Sequence, residues 1–142
     1  MKLKNTSVYL LAGWMLAACS GGGFQKTENG VVVEVKQQQP TDVRKVRLEV
    51  MGEKLIHVSA TPEKEFSKEQ SLIVIPQQNK TDFKVEEQGD EVTVKTSELC
   101  AIVSKTTGEV RFTDAGGKQI LAEDSDGRTF TPVEVEGTKG YT

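Results

Sequence analysis

The chain has 142 residues, of which 36% are apolar, 27% charged and 6% aromatic, a composition that suits one soluble domain and disfavours both disordered chains and membrane-spanning folds. Its 18 Lys and Arg against 21 Asp and Glu leave a formal charge of −3, with no basic stripe, which argues against nucleic acid as the main partner. Thirteen Gly against four Pro, among many Val, Thr, Lys and Glu, point to short strands joined by tight turns rather than to long helices.

Residues 1–18 carry Lys2 and Lys4 and then an apolar run from Val8 to Ala18. That run is too short to span a bilayer comfortably and is predicted as the helix of a secretory signal. It ends Leu16-Ala17-Ala18-Cys19, which resembles a bacterial lipobox, where small residues precede a Cys that is lipidated and becomes the mature N-terminus. Cys19 is therefore expected as a lipid anchor, the alternative being an ordinary cleaved signal with a Cys beside the cut. Residues 19–28, opening Cys19-Ser20-Gly21-Gly22-Gly23, are expected as a flexible Gly-rich tether that holds a folded domain off the lipid surface. Ser20 at the second mature position suggests an exported protein carried to the outer membrane, on its periplasmic or its surface face.

From Asn29 the pattern alternates with period two, the signature of strands. Val31, Val33 and Val35 share one face, with Val32 and Glu34 on the other. Val46, Leu48 and Val50 are predicted inward and Lys45, Arg47 and Glu49 outward, followed by a turn at Gly52-Glu53 and a return strand with Ile56, Val58 and Ala60 in phase, together a hairpin. Residues 61–71 are charged and read as a loop, with at most a helical turn over Glu63 to Gln70. The run Ser71-Leu-Ile-Val-Ile-Pro76 reads as a short apolar strand stopped by proline. A meander follows: Phe83 and Val85, a Gly89-Asp90 turn, Val92 and Val94, then Leu99, Ala101 and Val103. It continues through a Thr107-Gly108 turn, Val110 and Phe112, the Asp114-Ala-Gly-Gly-Lys118 turn, and Ile120 and Leu121. Eight or nine such strands imply an all-β chain, an antiparallel β-sandwich over residues 29–142. Val133 and Val135 still alternate near Thr142, so the sandwich is expected to be incomplete at its C-terminus.

Candidate chemistry is sparse. Glu34, Glu49, Glu91, Glu134 and Glu136 alternate with apolar residues and are expected on solvated faces. A glycosidase, by contrast, needs two carboxyl groups roughly 5–9 Å apart across a sugar, one with a raised pKa. Asp124-Ser125-Asp126-Gly127 resembles the opening of a calcium loop, but position twelve of that loop is Val135 rather than Glu, and a hairpin turn is expected instead. His57 is the only histidine, between Ile56 and Val58, and no second His or available Cys completes a metal site. Cys100 lies in the apolar run Leu99-Cys-Ala-Ile-Val103 and is read as a buried strand cysteine. With Cys19 modified no intrachain disulfide remains to be formed. Asn79-Lys80-Thr81 matches a glycosylation acceptor, which means little in a bacterial lipoprotein. No catalytic residue, cofactor or metal is assigned.

From Asn29 to Thr142 the sequence resembles the N-terminal region of glycoside hydrolase family 31, nearest to bacterial lipoprotein α-xylosidases and α-glucosidases. The stretches that carry this are Val43 to Ile75 with its Ile56-His-Val-Ser-Ala-Thr-Pro62 core, Ser97 to Leu121 with Val110-Arg-Phe-Thr-Asp114, and the tail Asp126 to Thr142. The resemblance implies a sandwich of the galactose-mutarotase-like type packed against a (β/α)₈ barrel in cis. That barrel would carry a nucleophile and an acid/base Asp and act on oligosaccharides. Nothing in these residues matches the motifs of either Asp. The resemblance thus implies an accessory domain, inactive alone, that supports the barrel and the rim of the sugar pocket. A small self-contained outer-membrane lipoprotein that binds a glycan or a protein is the alternative.

Overall fold

The computed structural model describes residues 23–68 and 80–142. The signal helix expected over 1–18, the Cys19 anchor and the strand expected after Ser71 lie outside the described residues. Within them the chain is all-β, with eleven strands. Strands β1 (Phe24–Lys26), β2 (Gly30–Glu34), β3 (Lys45–Gly52) and β4 (Leu55–Thr61) form one antiparallel sheet in sequence order. Strands β5 (Lys84–Gln88), β6 (Glu91–Lys95), β7 (Leu99–Ser104), β8 (Val110–Asp114) and β9 (Gln119–Ala122) form a second. Strands β10 (Pro132–Val135) and β11 (Thr138–Tyr141) pair as a separate hairpin.

The alternation sets the register. Val46 stands opposite Ala60, Leu48 opposite Val58 and Val50 opposite Ile56, so the predicted inward sets of β3 and β4 meet on one face. Val33 and Val31 face Val46 and Leu48 from β2. In the second sheet Val92 and Val94 stand opposite Val103 and Ala101, and these face Val110 and Phe112. Pressed together, the two faces give one dry core: Val31, Val33, Val46, Leu48, Val92, Val94, Ala101 and Val103 are fully buried. Lys26 Nζ lies 5.3 Å from the centre of the Phe83 ring, at the β1 and β5 side, and β2 faces β6.

Polar contacts tie the sheets at their ends. Thr96, buried between β6 and β7, has its hydroxyl 2.5 Å from the Glu53 carbonyl in the β3–β4 turn, and the same oxygen accepts the Glu98 and Leu99 amides. A buried hydroxyl with its donor and acceptor capacity both used adds direction to an otherwise apolar seam.

Three expectations change. The tether expected through residue 28 ends earlier, because Phe24–Lys26 pairs with Val31–Val33 through a turn at Thr27–Asn29 and Phe24 packs against the core. The Asp124–Gly127 segment is a turn, with the Gly127 amide 3.0 Å from the Asp124 carbonyl, but it joins strands that do not pair with each other and so closes no hairpin. A hairpin instead forms at Glu136–Gly137, where φ values of 50° and 79° match the left-handed pair of a type I′ turn. Residues 62–65 are bends, and no helix occurs in the described part of the 61–71 loop.

Two glycines fix close approaches. A Cβ on Gly30 would stand 1.8 Å from the Leu48 carbonyl oxygen, and one on Gly108, whose φ is 75°, would stand 2.5 Å from Val43 Cγ1. Gly30→Ala and Gly108→Ala are each expected to cost about 1–3 kcal/mol, through strain and displaced core. Gly89 has φ of 59° in open space, so Gly89→Asn is expected to cost well under about 1 kcal/mol. Urea-unfolding midpoints of the three variants check the ranking.

Candidate functional site

The described surface gathers polar side chains in three places. The first is a cleft of about 250 Å³ between the β2–β3 loop, the β7–β8 turn and the segment before β10, with Asp42, Glu109, Glu123, Asp124, Asp126 and Arg128 in its wall. Its acids are drawn into structural duties. Asp42 Oδ2 accepts the Gln38 and Gln39 amides at 3.1 and 2.8 Å, holding the β2–β3 loop. Glu123 accepts the Val110 amide at 2.9 Å with one oxygen and pairs with Arg128 through the other. Arg128 also donates to the Gly108 carbonyl at 3.3 Å. The lining has no aromatic ring on which a pyranose could stack.

The second is the outer face of β3 and β4. Glu49 was expected to point into solvent. Instead its carboxylate is mostly covered and stands 3.2 Å from His57 Nδ1 and 3.1 Å from Arg47 Nε. The Arg47 Nε contact has ion-pair distance without hydrogen-bond geometry, and the guanidinium lies 4.6 Å from the centre of the Phe66 ring, a cation–π contact. Cross-strand pairing puts Glu49 opposite His57 and Arg47 opposite Ser59, so the cluster follows from the hairpin register. Phe66, brought in by the 62–68 loop, is the member that strand periodicity could not supply.

The third is the outer face of the second sheet and its adjoining turns. Glu91 and Arg111 form a two-pronged pair, with Arg111 Nη2 2.8 Å from Glu91 Oε2. The Arg111 hydrogen bonds hold the Glu91 carboxyl below its usual range, against the opposing effect of burial. Asp90 in the β5–β6 turn feels desolvation upward, but hydrogen bonds from the Ser104 and Thr106 hydroxyls at 2.9 Å outweigh it and its pKa falls. The acids of the described residues whose pKa shifts, Glu28, Asp90 and Glu91, all shift down. A glycosidase general acid requires the opposite shift.

The remaining sequence candidates are placed as follows. Cys100 is buried on β7, opposite Lys95 and Thr113. Glu34, Glu134 and Glu136 are exposed. Asp124 and Asp126 line the cleft, and no group of three or more metal-ligating side chains converges among the described residues. Tyr141 reaches from β11 to Glu63, whose carboxylate raises the phenol pKa, and its ring meets Phe130 edge-on at 5.9 Å. That contact joins the last hairpin to the 62–68 loop.

No protein-family model matches the chain. Among solved structures, the chain is similar to the glycoside hydrolase family 31 α-xylosidase of Xanthomonas citri, with 39% identity and a TM-score of 0.74 over 82% of this chain. A family 31 α-xylosidase from a soil metagenome, solved with xylose, shares the fold at 23% identity and a TM-score of 0.56, again over 82% of this chain. The matches take in 12% and 16% of the lengths of those two proteins.

The Glu91–Arg111 pair predicts a pH signature. Because the folded-state pKa of Glu91 is depressed, its contribution to stability is present at neutral pH and is lost as the pH falls through that depressed value. Both side chains are about 40% exposed, so the contribution is expected to stay under about 1 kcal/mol. Arg111→Met should lower the urea midpoint at pH ~7 and leave it nearly unchanged at pH ~2; an equal shift at both would assign the loss to packing.

Proposed function

We propose, for a chain that belongs to glycoside hydrolase family 31 and spans 12% of the α-xylosidase it matches, that it is the accessory β-sandwich of an α-glycosidase. The likeness to that α-xylosidase over most of this chain is the observation that carries the reading. The sandwich is of the galactose-mutarotase-like type and lies against a (β/α)₈ barrel in the same polypeptide. The barrel hydrolyses α-xylosidic or α-glucosidic ends of oligosaccharides. The sandwich supports the barrel and shapes the rim of its sugar pocket. Two of the described acids agree with this division of labour: arginine hydrogen bonds lower the Glu91 pKa, and hydroxyl hydrogen bonds lower that of Asp90 against desolvation, which does not suit proton transfer to a leaving sugar.

The 142-residue chain alone is expected to leave p-nitrophenyl α-xyloside and α-glucoside intact, while the product of the whole reading frame that carries it turns over at least one. Deletion of residues 23–142 from that product should abolish turnover. A reading frame that ends with this segment, or a deletion product with full activity, would overturn the accessory role.

The lipobox-like run supports an anchor, and in this reading Cys19 carries lipid and tethers the exported enzyme to the outer membrane. Labelled palmitate should enter the wild-type chain, and Cys19→Ser should both lose the label and leave the membrane fraction. Equal labelling of the two would remove the anchor.

A further inference from the structure

The first sheet takes up much of the segment expected as a tether. Gly23 is already fixed, since its carbonyl accepts the Glu34 amide at 2.8 Å, and Phe24, Gln25 and Lys26 pair with Val33, Val32 and Val31. Phe24 also packs against the core, so β1 is held by a side chain as well as by its backbone. Only Ser20, Gly21 and Gly22 separate Gly23 from Cys19. Those four residue steps reach at most about 14 Å when fully extended, whereas the ten steps from Cys19 to Asn29 would have reached about 36 Å.

The short link meets the sandwich at one end of its strands. Glu34, bonded to Gly23, stands opposite Lys45 at the start of β3, and Lys45 stands opposite Thr61 at the end of β4. The Lys36 amide lies 3.2 Å from the Lys105 carbonyl, which brings the β7–β8 turn to the same end. The side chains of Gln25, Glu34, Lys36, Thr106 and Thr107 around it are exposed and polar, with charges of both signs. The opposite end is the β3–β4 turn, where Leu55 pairs with Gly52 and is 56% exposed. From Lys45 to Gly52 the strand rises about 23 Å.

We infer that the strand ends around Gly23 rest against the lipid headgroups of the membrane that holds Cys19, with the β3–β4 turn directed away from it. The inference rests on the reading of Cys19 as a lipid anchor and names the surface that meets the membrane. A lipidated Cys sits where its acyl chains enter the bilayer, and Gly23 stays within about 14 Å of it. With the β3–β4 turn inward, Gly23 would stand about 23 Å or more from the lipid surface, beyond that reach. A link of ten steps would have allowed either end to face the lipid. Charge does not set this orientation, because Glu34 and Lys36 offset each other. Covalent length sets it, and polar side chains of both signs remain hydrated among headgroups without inserting.

The test places a bimane fluorophore at either end of the sandwich, through Gln25→Cys or Leu55→Cys, in the product of the whole reading frame. Cys100 is buried and out of reach of the reagent. The protein is reconstituted into phosphatidylcholine vesicles in which a fraction of the headgroups carries a nitroxide, a short-range quencher. Fluorescence at position 25 is expected to fall several-fold more than at position 55. A Gly-Ser insertion of about ten residues between Gly22 and Gly23 should bring the two positions level. Equal quenching without the insertion, stronger quenching at 55, or a preference for 25 that the insertion leaves unchanged would each overturn the inference. Palmitate labelling separates the two readings. Labelled Cys19 with equal quenching removes the orientation and keeps the anchor, whereas absence of label removes both.

Discussion

The valine seam between the two sheets is the constraint to which the other contacts answer. Val31, Val33, Val46 and Leu48 share one buried apolar cluster with Val92, Val94, Ala101 and Val103. β-branched side chains have few rotamers, so a seam made of them tolerates little sliding or change of spacing. Where the backbone must come nearer than a Cβ permits, glycine is present: Gly30 against the Leu48 carbonyl and Gly108 against Val43. Where the seam ends, Thr96 closes it with its hydroxyl on the Glu53 carbonyl.

Once the seam fixes the inner faces, the outer faces follow by the pleat. Arg47, Glu49 and His57 come together because the hairpin register puts them in opposed or adjacent positions, and Glu91 finds Arg111 across the width of β7. These clusters are half-covered and mutually paired. Each therefore has a stabilising task of modest size, and in the second the Arg111 hydrogen bonds lower the Glu91 pKa. The family 31 α-xylosidase that this chain resembles is matched over 12% of its length.

The edges tell the same story in a different currency. One rim here carries lysine and glutamate, side chains that keep a free edge from pairing. The other rim is neutral and stands beside the exposed inner-face Leu121. An apolar side chain on the core side of a sheet that nothing described covers is costly in water.

Much of this was legible in the chain of letters, because the side-chain period of a strand is two and burial on one face writes that period into sequence. The inward sets of β2, β3, β4 and β6, the Gly89 turn, the buried place of Cys100 and the likeness to family 31 were all readable from it. β1 was hidden because Phe24-Gln-Lys26 is too short to show a period beside a glycine run. The last hairpin was hidden because its turn, Glu136-Gly137, is a weaker signal than Asn-Gly. What only the tertiary structure decided was partnership: that Phe66 stacks on Arg47, that Glu49 is shared by two cations, that Asp124–Gly127 joins unpaired strands, and that Leu121 faces inward yet lies uncovered. Periodicity assigns a residue to a face, but which loop or strand lies over that face depends on contacts between residues far apart in sequence, and these arise only when the sheets pack.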